Sequence, residues 1–127
     1  MADFSDYLEN KILDHVFRNT AYTPPATIYL ALYTAAPTDA GGGTQVTGGG
    51  YARKAVTFGA AAGGAMANTN LIDFLATGAN FGTITHVGVF DALTAGNLLA
   101  WKAISSIVIN DGDTISFPIG SIIMGQD

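Results

Sequence analysis

Thr83-Ile84-Thr85-His86-Val87-Gly88-Val89-Phe90-Asp91, followed by Gly96-Asn97-Leu98-Leu99-Ala100-Trp101, decides how the rest of the chain is read. Both runs are apolar, and Ala92-Leu93-Thr94-Ala95 separates them. They predict two strands joined by a short turn. In regular alternation Ile84, Gly88 and Phe90 share one face of the first strand, and Val87 and Val89 share the other. Both faces are then apolar or small. That suits a strand covered on both sides, in the middle of a small β core.

Period-two alternation recurs on both sides of this pair. In Thr27 to Tyr33, Ile28, Leu30 and Leu32 fall on one face and Thr27, Tyr29, Ala31 and Tyr33 on the other. In Tyr51 to Phe58, Ala52, Val56 and Phe58 oppose Arg53, Ala55 and Thr57. A small-residue linker, 59–65, leads to a further strand over Asn68 to Phe74. After Trp101 come Ile104, Ile107 and Ile109, then Asn110-Asp111-Gly112-Asp113. Asp-Gly accepts positive φ, so this turn predicts a hairpin into Thr114 to Phe117. Pro118 and Gly120 end that strand, and Ser121 to Met124 supplies a last one. The expected fold is mainly β: an antiparallel β-sandwich or flattened barrel of seven to eight short strands with one N-terminal α-helix. Residues 1–127 read as a single domain, with the β part over 20–127.

The helix is expected over 3–18. Phe4, Leu8, Ile12 and Val16 recur every four residues, and Tyr7, Leu13 and Phe17 widen the stripe. Asp3 is the expected cap, with Asp6 as its capping-box partner. Asp3, Asp6 and Glu9 near the start and Arg18 at the end complement the helix dipole. Thr23-Pro24-Pro25 closes the helical region. The apolar stripe must pack on something: the domain's own sheet, or a neighbouring subunit. Residues 35–50 carry two glycine triplets and no Gly-Lys-Ser/Thr, so they are not a phosphate loop. They read as a surface loop with a short edge segment at Gln45-Val46-Thr47, or as an arm that orders on a neighbouring subunit.

Composition narrows function further. Of 127 residues, 49% are hydrophobic and only 12% charged, so part of the surface is expected to be covered by another chain. The net charge is −5 with five basic residues, which disfavours nucleic acid as a partner. There is no Cys, so thiolate catalysis and Cys-bound zinc are excluded. The acidic N-terminus is not expected to be a signal peptide, and no run approaches the ~20 apolar residues of a membrane span. No nucleophile stands in a catalytic setting. Asp111 and Asp113 lack the further ligands of a calcium loop. His86 reads as a structural strand residue in need of a hydrogen-bond partner, Asp91 as a turn former, and Trp101 as a core or interface anchor. The expectation is no enzyme, no cofactor and no metal.

Several segments together resemble a family of small virion proteins of tailed bacteriophages. They are Tyr7-Leu8-Glu9-Asn10-Lys11-Ile12-Leu13-Asp14-His15-Val16, Pro25 to Thr34 with Pro37-Thr38, Gly48-Gly49-Gly50-Tyr51-Ala52-Arg53, and Gly82 to Asp91 with Gly96-Asn97-Leu98-Leu99. Members are labelled tail-fibre-like, minor structural or head decoration proteins. The resemblance implies a virion component assembled in the host cytoplasm. The chain has no heptads or repeats to build a shaft. That favours a cement protein on the capsid exterior, bound to the major capsid protein and to copies of itself. The alternative is a tail-fibre or baseplate adaptor subunit, with other tail proteins as partners. A third reading is a carbohydrate-binding module that presents Tyr29, Tyr33, Tyr51 and Trp101 as a stacking platform. The expected contact residues are Phe4, Leu8, Ile12 and Val16 of the helix, with Tyr29, Tyr33, Gln45, Val46, Tyr51, Arg53 and Trp101.

Overall fold

The structure is a computed structural model that describes residues 2–125; Met1, Gln126 and Asp127 lie outside the described residues. The elements are β1 (Asp3–Phe4), α1 (Asp6–Phe17), β2 (Ile28–Ala35), β3 (Thr44–Gln45), β4 (Lys54–Val56), β5 (Ala65–Ala67), β6 (Ile72–Leu75), β7 (Gly82–Phe90), β8 (Leu98–Ile109), β9 (Thr114–Phe117) and β10 (Ile123–Gly125). The main sheet runs β1-β8-β7-β2-β3, with β4 on the same edge of β2 as β3. Two ribbons, β6-β9 and β10-β5, form a second layer. All strand pairs are antiparallel. The sheets do not close into a barrel, so the architecture is sandwich-like.

One core fills the space between the layers. Leu30, Leu32, Val87, Val89, Ala100 and Ile109 of the main sheet meet Ile72, Phe74, Ile115, Phe117 and Met124 of the ribbons. A smaller cluster, Ala31, Tyr33, Phe90 and Leu98, lies on the opposite face of the main sheet with Trp101 beside it. The central strand is therefore apolar on both faces because both faces are covered.

Five details differ from the sequence reading. Ile84 joins Val87 and Val89 in the main core, because the register shifts between Ile84 and His86. A bulge changes which face a side chain meets, and regular alternation cannot anticipate it. The Asn110–Asp113 turn has the expected chemistry: Asp113 accepts from the Asn110 amide, and Gly112 takes φ +90°. Yet it makes no hairpin. It carries the chain from β8 into the other layer, where β9 pairs with β6. The third difference is the helix start. Asp3 and Phe4 pair with Trp101 and Ala100, and Ser5 caps the helix by accepting from the Leu8 amide at 3.2 Å. At the other end Asn19 turns left-handed (φ +53°) and stops the helix ahead of the prolines.

The fourth difference concerns Tyr51, which is not in a strand. Its ring stacks on Phe74 and meets Phe81 edge-on, half-buried against the core. Its hydroxyl accepts from the Leu32 amide at 3.0 Å. That amide lies between the stretches of β2 that pair with β4 and with β3, so the phenol fills a gap in the ladder. Last, the 35–50 loop has its expected edge segment, with Thr44–Gln45 paired to β2, but other parts of it are pinned to its own chain. Thr38 and Gly41 bond each other, Asp39 accepts from the Asp6 amide, and Val46 is buried.

Candidate functional site

The outer face of the main sheet carries the densest polar and aromatic cluster. Pairing of Leu30 with Lys54 and of Tyr29 with Ala55 sets Arg53 on the face shared by Ala31 and Tyr33. Its guanidinium lies over the Phe90 ring, 3.7 Å from the centroid. Nη1 donates to the carbonyls of Ala92 (2.9 Å) and Ala95 (2.7 Å), and Nε donates to Gln45 Oε1 (3.2 Å). Arg53 thereby ties the β7–β8 turn to β3. The turn is also held from within, since Asp91 accepts from the Asn97 amide and side chain.

Tyr33 stacks on Phe90 as well, with ring centroids 6.4 Å apart. Its ring lies over Gly88, where a Cβ would meet Tyr33 Cε1 at 2.8 Å. Only 1% of Tyr33 is exposed. Burial pushes its hydroxyl up to about 12, partly offset by the Arg53 charge.

A second line of contacts ties the helix start and the glycine loop to the same face. Trp101 Nε1 donates to Asp39 Oδ1 at 2.9 Å, and the Asp39 carbonyl accepts from Asp6. The buried Ser5 hydroxyl donates to the Leu98 carbonyl at 2.5 Å. Between these elements lies an open cleft of about 590 Å³, lined by Tyr7, Tyr33, Asp39, Gln45, Arg53 and Phe90 among others. The described residues contain no cluster of three His, Asp or Glu side chains suited to a metal ion.

The expected contact residues divide into three groups. Tyr33, Gln45 and Arg53 come together, Tyr51 touches them only through its hydroxyl on Gln45, and Trp101 lies on the same face beside His86. Tyr29 shares that face and is half-buried. Phe4 and Leu8 pack half-buried against the core, and Val46 is inside it. Of the stripe positions that lie further along α1, Ile12 is half-buried and Val16 is 62% exposed. Of the four aromatics of the stacking-platform reading, Tyr33 is buried, the Tyr51 ring packs on Phe74, and Tyr29 and Trp101 are half-buried.

Phe90, Asp39, Leu13 and Phe17 complete the picture and were not among the expected residues. Leu13, Val16 and Phe17 form an i, i+3, i+4 apolar patch on α1, with Phe17 79% exposed. Their sequence signal was the widened stripe itself. An acceptor for the lone indole could have pointed to Asp39.

A family model described as podophage GP4 fiber I protein gp80 matches residues 3–125. No curated protein matches the chain.

Proposed function

From the chain's membership of the podophage GP4 fiber I protein gp80 family, which makes it a phage virion structural protein, we propose that it is a subunit of the tail fibre. The family match across residues 3–125 carries this reading. It supports the fibre alternative over a cement protein on the capsid exterior. Without heptads or repeats, the chain's place is a compact joint rather than a shaft.

The contact to the rest of the tail is assigned to α1. None of its residues is buried, and its start packs on the core through Tyr7 and Leu8. Leu13, Val16 and Phe17 leave an apolar stripe to water that a partner would cover. The partner is another tail protein with an apolar groove that takes a helix face. The outer-face cluster holds the helix root in place: Asp39 fixes the first turn, and Ser5 clamps it to β8.

Phage carrying Phe17→Asp tests the assignment. The variant should fold, since the side chain is largely exposed, and should be missing from purified particles. Particles that contain it at the normal level would overturn the role of the helix.

A further inference from the structure

The longest unpaired strand edge is on β8. Among the described residues β1 covers only Ala100 and Trp101 on its outer side, leaving Lys102 to Ile109 open. At ~3.4 Å per residue this is about 27 Å of edge. Soluble folds blunt such edges with charges, prolines or short length. The other edge strands have four residues or fewer, and among them β4 carries the charge of Lys54 and β6 that of Asp73. Ala103-Ile104-Ser105-Ser106-Ile107-Val108-Ile109 has neither charge nor proline. Ile107 and Val108 are 44% and 57% exposed.

Charge decides the occupant. Lys102 stands at one end of the open edge, and Asp111 and Asp113 stand just past the other. A second copy aligned in parallel would set Lys102 on Lys102. An antiparallel copy sets each Lys102 against the acidic turn of the other, with Ser105 across from Val108 and Ser106 across from Ile107. The two-fold axis then passes beside the bulge opposite Thr85, where Ile104, Ser105 and Ser106 of β8 face that single residue of β7. Each copy bends where the other bends, which a flat, unrelated strand would not do.

We propose that two copies of the chain pair edge to edge through β8, antiparallel and about a two-fold axis near Ser106, joining two main sheets into one. The closure is isologous and leaves no repeating edge to propagate. This interface is separate from α1, so it stands or falls independently of the fibre assignment.

Light scattering of the full chain over a concentration series reads the state directly. The wild type should pass from monomer to dimer with rising concentration. Val108→Lys should shift that transition at least tenfold higher, while Phe17→Asp should leave it in place. Because the chain has no native Cys, a Ser105→Cys, Val108→Cys double variant should give a reducible dimer on oxidation. That cross-link decides the matter if Val108→Lys does not fold. A wild type monomeric throughout, a dimer insensitive to Val108→Lys, or a dimer that the cysteine pair does not link would overturn the pairing.

Discussion

The Arg53 guanidinium sits 3.7 Å from the centre of the Phe90 ring while the same side chain bonds two carbonyls of the following turn. One residue thus holds three elements: β7 through the ring, the β7–β8 turn through Ala92 and Ala95, and β3 through Gln45. A lysine cannot reproduce this, because its ammonium has no planar fork to stack and bond at once. Arg53→Lys is expected to lower stability by about 1–3 kcal/mol. Urea unfolding checks the magnitude, and faster amide exchange over 91–97 should accompany it.

Gly88 makes room for Tyr33. A methyl group there would meet Tyr33 Cε1 at 2.8 Å and Leu98 Cδ1 at 3.0 Å. Both side chains belong to the buried outer-face cluster. Gly88→Ala should therefore destabilise by overpacking, by about 1–3 kcal/mol. Thermal unfolding measures this, and truncating Leu98 in the same chain should recover part of the loss.

Ser5 has two jobs that one hydroxyl performs together. It caps α1 by accepting from Leu8, and it donates to Leu98 across the strand. Ser5→Ala loses the cap and leaves a buried carbonyl short of a donor, at a cost of about 1–3 kcal/mol. Exchange at the first turn of α1 should rise more than at β2, which separates a local loosening from a global one.

Tyr33 predicts behaviour at alkaline pH. Its hydroxyl is raised from 10 to about 12 in the folded chain because burial opposes the phenolate. An acid whose folded value is raised contributes fully below the unfolded value, and that contribution is lost as pH rises. Stability should hold up to about pH 10 and fall between 10 and 12. Among the described residues its hydroxyl has no hydrogen-bond partner, so Tyr33→Phe should change little at neutral pH and flatten the alkaline decline. Unfolding midpoints at a series of pH values, with and without the substitution, check the slope.

How much of this was legible depended on whether a signal was local. Alternation placed Tyr33 and Arg53 on a common type of face before any pairing was known, and the apolar central strand implied cover on both sides. The bulge that returns Ile84 to the core has no residue signature in Thr85. The Asp-Gly turn was correctly a turn, but turn chemistry does not say whether the next strand pairs with the last one or crosses to another layer. The helix is expected from residue 3 but begins at Asp6, three residues later, since Phe4 fits a strand and a helix equally well by hydrophobicity. The contact between Arg53 and Phe90 spans a long stretch of chain, and no sequence period reports it.

Gold labelling of the protein in intact particles, viewed by electron microscopy, tests the fibre assignment most directly. Label confined to the tail, with few copies per particle, is the expected result. Label spread over the capsid surface would contradict the fibre reading and return the chain to the role of a shell cement.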